Sequence, residues 1–143
     1  MKDAFGGVLN IVLIVVFLVI VSGILGLLVN YTKAFRMKNI VISTIEKYDG
    51  ASGCFNSSKD SDCKNKIIEG ANQIGYHPSN LRCSVSDGFT KSYDYFCYKK
   101  VKTANNNYVY TVITQVDIDI PIINRMMGLS IFQVHGDTRI VSK

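Results

Sequence analysis

Residues 11–29 read IVLIVVFLVIVSGILGLLV, nineteen positions without a charge, and the fold turns on how that run is read. As an α-helix it rises about 28 Å, close to the ~30 Å hydrocarbon thickness of a bilayer. Val and Ile dominate it and would suit a strand, but a backbone in lipid has no water to bond and must satisfy its own amides, so the run is expected to be helical. Val8 and Leu9 extend it forward past Asn10, and Ser22, Gly23 and Gly26 are the small residues inside it. A cleaved secretory signal is the competing reading, because Val21-Ser22-Gly23 has the small-residue character of a cleavage site. The apolar run continues through residues 24–29 beyond that site, which favours a retained anchor.

Outward from the span, residues 30–48 contain no Pro or Gly and keep helical spacing, with Tyr31, Phe35, Ile42 and Ile45 on one stripe and Lys33, Lys38 and Glu46 off it. The expected rod runs from about Leu9 to Tyr48, roughly 60 Å, and Asp49-Gly50 is its stop signal. Asn30 is where a break at the membrane surface would fall. The chain then divides into residues 1–7 as a leader or short tail, 8–29 as the transmembrane helix, 30–50 as its amphipathic continuation and 51–143 as a small domain.

A domain of that size buries a modest core and benefits from staples. Cys54, Cys63, Cys83 and Cys97 are separated by eight, nineteen and thirteen residues, unlike the close pairs of a zinc site. Disulfides are the better reading, and neighbouring pairs close loops rich in turn residues. Four free thiols in a cytosolic domain are the alternative. Charge and cysteine disagree about topology. Lys33, Arg36 and Lys38 follow the span and only Lys2 precedes it, which by the positive-inside rule puts the domain in the cytoplasm. Disulfides put it outside, and the cysteine pattern is weighted more heavily.

Within the domain, Ser61 caps a short helix carrying Cys63, Ile67, Ala71 and Ile74 on one face, ended by Gly75. His77-Pro78-Ser79-Asn80 is a turn, residues 82–86 and 93–101 alternate as strands, and Asn105-Asn106-Asn107 marks a hairpin tip. The clearest period of two runs over residues 108–120: Tyr108, Tyr110, Val112, Thr114, Val116, Ile118 and Ile120 share a face expected to be buried, opposite Val109, Thr111, Ile113, Gln115, Asp117 and Asp119. Pro121 closes that strand, and residues 131–141 return as another, bent at Gly136-Asp137. The expected fold class is α+β: a long N-terminal transmembrane helix continuing into a small domain with a short helix and a sheet of about four antiparallel strands.

No residue pattern asks for catalysis or a cofactor. Asp117 and Asp119 would share a solvent face but lack the further oxygens a cation needs. His77 and His135 sit in turns with no nucleophile beside them, and Asn56-Ser57-Ser58 is a glycosylation acceptor by pattern alone. The net charge of +5 is spread along the chain. Lys99, Lys100 and Lys102, beside Tyr93, Tyr95, Phe96 and Tyr98, read as a solvated basic edge over core aromatics and not as a nucleic-acid surface. No metal site and no small-molecule substrate are indicated. A high content of Ile, Lys and Asn suits an AT-rich genome, compatible with a low-GC bacterium.

Taken together, an apolar helix that continues into a packed half and then a disulfide-bearing antiparallel sheet resembles the type IV pilin architecture, in particular the TadE-like minor pilins of tight-adherence systems. Prepilin leaders end in Gly before the apolar run, and Phe5-Gly6-Gly7 ahead of Val8 is similar, which makes Gly6 and Gly7 the processing residues. Pilins carry a Glu at the fifth position after that glycine. Here Ile11 or Val12 stands there, a departure that suits a minor, initiating or assembly subunit better than a major one. The resemblance implies a non-enzymatic subunit whose partners are the membrane and other pilin-like or assembly subunits. Ser22 and Gly26, four apart, would then form a small-residue face for helix packing. The alternative is a bitopic envelope protein whose outer domain binds a partner or ligand.

Overall fold

The computed structural model describes residues 2–50, 54–55, 61–103, 107–117 and 131–141, with side chains from residue 6 onward and Ile131 excepted. A single helix, α1 (Lys2–Lys47), leads into a second, α2 (Asp62–Ile74), and then into strands β1 (Thr90–Ser92), β2 (Phe96–Lys102), β3 (Tyr108–Asp117) and β4 (Ile131–Asp137). The strands form one antiparallel sheet in the order β1-β2-β3-β4. The layout is α+β: α1 packs on β3 and β4, and α2 packs on α1 and adds Cys63, Ile67 and Ala71 to the common core.

At 46 residues α1 is about 69 Å long, and it begins at Lys2, ahead of the expected start near Leu9. Nothing in its first turns stops a helix except two glycines, whose propensity cost the surrounding apolar residues absorb. Its far end stops as expected: Asp49 and Gly50 both take positive φ, and the Gly50 amide returns to the Ile45 carbonyl at 2.9 Å. Over the domain α1 buries Ala34, Met37, Val41 and Ile45 completely. The expected stripe was partly wrong. Tyr31 and Phe35 stay exposed, stacked on each other with the Lys38 ammonium 4.2 Å from the Phe35 ring, because the sheet meets the helix one face further round.

In α2, Ser61 accepts from the Lys64 amide and Gly75 closes the helix in the left-handed conformation. Cys63, Ile67, Gly70 and Ala71 are its buried face. A Cβ at Gly70 would lie 2.8 Å from Ile40 Cγ2, so the residue sets how closely the two helices approach. Gly136 does the same where β4 crosses α1, against Lys38 and Ile42.

Residues 82–86 form no strand. Ser84 opens a 3-10 turn at Val85–Asp87 with its hydroxyl on the Asp87 carboxylate, and Gly88 ends it. The expected strand over residues 93–101 begins only at Phe96. Tyr93 and Asp94 take positive φ in a tight turn whose other arm, β1, lies at Thr90–Ser92. β3 follows the expected register but is covered on both sides in its second half, where Ile113 and Gln115 are buried as deeply as Val112 and Thr114. Residues 79–84 cross that outer face: the Arg82 amide donates to Gln115 Oε1 at 3.0 Å, and Gln115 Nε2 donates to the Asn80 carbonyl at 2.9 Å. After β4 the chain returns to β3 through a bridge between Tyr108 and Val141. The positions expected at Ile118, Asp119 and Ile120, the loop after Pro121, the acceptor at Asn56 and the tip at Asn105-Asn106 lie outside the described residues.

Two disulfides pair the cysteines as sequence neighbours. Cys54 joins Cys63, tying the segment after α1 to the first turn of α2, and Cys83 joins Cys97, tying the crossing segment to the start of β2. No free cysteine is left.

Candidate functional site

The first half of α1 is the most distinctive surface of the molecule. From Val8 to Val29 its Val, Ile, Leu and Phe side chains stand outside the domain, Phe17 at 65% and Ile20 at 55% of their surface exposed. It is the helix, among the described residues, that is long and apolar enough to cross a membrane, and none of its apolar window is buried. Two hydroxyls in and just past it bond back to the helix. The Ser22 hydroxyl donates to the Val19 carbonyl at 2.9 Å, and the Thr32 hydroxyl to the Leu28 carbonyl at 2.7 Å. Gly6, Gly7 and Gly26 have no atom within 4 Å of where a Cβ would stand, so Gly26 leaves a shallow notch open beside Ser22.

Asn30 marks the change of environment, its side-chain amide donating to the Asp117 carbonyl at 3.2 Å. The bottom of β3 is thereby fixed at the end of the apolar half, while Tyr110 reaches Gly50 with its hydroxyl at the top. A polar cleft of about 280 Å³ opens at this junction between Asn30, Lys33, Tyr76, His77, Ser79, Gln115 and Asp117. Most of its polar atoms are committed to one another. The Tyr76 hydroxyl donates to the Gln115 carbonyl and accepts from the Gln115 amide, both at 2.9 Å. Asp117 accepts from the Ser79 amide and from Gln115 Nε2, each at 2.6 Å. Burial pushes the Tyr76 hydroxyl up to about 12, against the opposing effect of its hydrogen bond to Gln115. A hydroxyl held so firmly protonated serves as a structural pin and not as a base.

Asp117 is expected on the solvent face of its strand. It is half-buried and accepts from two donors, because the loop at Pro78 folds back over the strand. His77 and His135 are exposed, His77 edge-on to Tyr95 at 6.0 Å. Among the described residues no three His, Cys, Asp or Glu side chains converge to hold a metal ion. The basic cluster lies against the domain's own aromatics: Lys100 sits 3.8 Å over the Tyr108 ring and Lys99 5.8 Å over Phe89. The four cysteines come together as two bridges on the distal and outer sides of the sheet, away from Ser22 and Gly26.

A second recess escaped the sequence reading. Leu25, Leu28, Val29, Thr32, Lys33 and Arg36 on α1 face Gln73 and Ile74 at the end of α2 across a groove of about 460 Å³. Its α1 residues recur at helical spacing, but the opposite wall comes from α2, and that pairing has no local signal.

Compared with known families, characterised proteins and solved structures, the chain matches none.

Proposed function

We propose that this chain is a single-pass, membrane-anchored, non-enzymatic subunit of pilin-like type, acting in the assembly of a cell-surface filament or secretion system with its disulfide-bonded domain outside the membrane. One observation carries the reading: a helix whose first half is apolar and, among the described residues, left unburied runs unbroken into a half clamped to a small disulfide-bonded sheet. Such a helix serves first as an anchor and then, in an assembly, as the surface that neighbouring subunits pack upon. Gly6 and Gly7 are the proposed processing positions, and Ser22 with Gly26 the proposed close-approach face.

A photo-crosslinking side chain placed at Gly26 in cells of the native host tests this. Adducts with other apolar-helix subunits, absent when the same group is placed at Val101 on the sheet, are the expected result. Adducts with lipid alone at Gly26 contradict assembly and leave a bitopic protein whose outer domain binds a partner or ligand. The polar cleft at Asn30, Lys33 and Tyr76 favours that second reading as the place where a ligand would sit.

A further inference from the structure

Lys33 and Arg36 stand where the charge pattern of a membrane protein is least at ease with an outward-facing domain, just past the span on the side of the disulfides. What surrounds them accounts for their presence. Along α1, Leu25, Leu28 and Val29 form the apolar end of the groove and Thr32, Lys33 and Arg36 its polar end, with Gln73 and Ile74 of α2 as the opposite wall. No carboxylate lines it. Glu69, one turn back on α2, accepts from Gln73 Nε2 at 3.3 Å. The only ion pair among the described residues joins Lys91 to Asp94, so within the described residues no carboxylate oxygen lies within 4 Å of the Lys33 ammonium or the Arg36 guanidinium. Of the carbonyls in the last turn of α2, those of Ala71 and Asn72 are taken by the Tyr76 and Gly75 amides, which lessens their repulsion of an anion. Thr32 has given its hydroxyl proton to Leu28 and keeps acceptor capacity only.

From these features, and resting on the anchor reading above, we propose that the groove holds one anionic phospholipid from the leaflet facing the domain. Its phosphate lies between the Lys33 ammonium and the Arg36 guanidinium, and an acyl chain lies along Leu28, Val29 and Leu25. The dimensions agree. From Leu25 to Arg36 the helix rises about 16 Å, which spans a headgroup and the upper part of a chain. Guanidinium and ammonium together suit a phosphodiester, the first by its paired donors and the second as a point charge. The occupied groove also fixes the tilt of the domain against the bilayer, since its two walls belong to the span and to α2.

The test uses the full chain reconstituted in phosphatidylcholine vesicles with trace spin-labelled phosphatidylglycerol or spin-labelled phosphatidylcholine, reading the motionally restricted fraction of each. The expected result is a preference for phosphatidylglycerol of at least about fivefold, the scale of one basic residue at an anionic surface. Lys33→Gln with Arg36→Gln should bring that preference to parity, whereas Lys99→Gln with Lys100→Gln, the same loss of charge at the distal end of the sheet, should leave it unchanged. Inorganic phosphate should displace the labelled lipid no better than chloride of equal ionic strength. Equal restriction of both lipids, a preference that survives in the Lys33/Arg36 variant, one lost equally in the Lys99/Lys100 variant, or specific displacement by free phosphate overturns the lipid site. A chain that incorporates into the vesicles yet shows no preference refutes this inference alone. One that does not incorporate refutes the anchor, and the site with it.

Discussion

Between residues 8 and 29, α1 leaves Leu9, Phe17 and Ile20 more than half exposed, whereas between residues 34 and 45 the same helix hides Ala34, Met37, Val41 and Ile45 completely. The exposed half is the more apolar of the two. In a water-soluble protein that order would be reversed, since exposed apolar surface on such a scale is rare and marks a contact with another molecule or with lipid. The second half carries Lys33, Arg36, Lys38 and Asn39 and still supplies the core, because its apolar residues recur every three to four positions and face one sheet. Apolar content and core membership have come apart along one continuous helix, and periodicity is what separates them.

A charge placed in each half breaks the comparison most severely. Val41→Asp buries a lone carboxylate against the sheet and should cost about 3 kcal/mol or more, enough to unfold the domain in detergent by loss of its near-ultraviolet dichroism. Val16→Asp should leave that signal intact and instead abolish recovery of the chain in the bilayer fraction. Truncation gives the same contrast without charge. Ile45→Ala should lower domain stability by about 2–5 kcal/mol, and Ile20→Ala by no more than about 0.5 kcal/mol, in denaturant titrations of the full chain in micelles. Equal effects at the two sites would mean that the exposed half has a partner inside the chain.

Smaller effects probe the junction. Tyr76→Phe strands the Gln115 amide and should cost about 1–3 kcal/mol. It also carries a pH signature. The hydroxyl ionises near 10 in the unfolded chain but only at about 12 when folded, so the folded state keeps a proton the unfolded state gives up. Stability from this group is therefore complete below pH 10 and is lost as the pH rises toward 12. Burial raises Tyr93 and Tyr98 in the same direction, so the variant should soften the alkaline loss without removing it. The smallest effect belongs to the cap: Ser61→Ala should cost about 1 kcal/mol, measured as a shift in the thermal midpoint.

Much of this arrangement was legible from residue order. The apolar run, the Ser61 and Gly75 caps, the Asp49-Gly50 stop and the period of two in β3 each depend on nearest neighbours, and each was read before packing entered. What escaped depends on distant segments. Tyr93 at positive φ has no signal in its side chain, and its turn follows from pairing Ser92 with Phe96. Ile113 and Gln115 looked like a solvent face until residues 79–84 crossed them. Tyr31 and Phe35 looked like core because their spacing is helical, yet the sheet meets α1 on the neighbouring stripe. The groove at Lys33 and Arg36 needed the end of α2, which nothing local to α1 reveals.

Intact mass spectrometry of the protein taken from its native membrane, with alkylation before and after reduction, tests the central claim most directly. A chain lacking the residues through Gly6 or Gly7, whose four cysteines alkylate only after reduction, is the predicted result for a processed, outward-facing, pilin-like subunit. A full-length chain with four cysteines that alkylate at once would contradict it and return the domain to the cytoplasm, where Lys33, Arg36 and Lys38 alone would have put it.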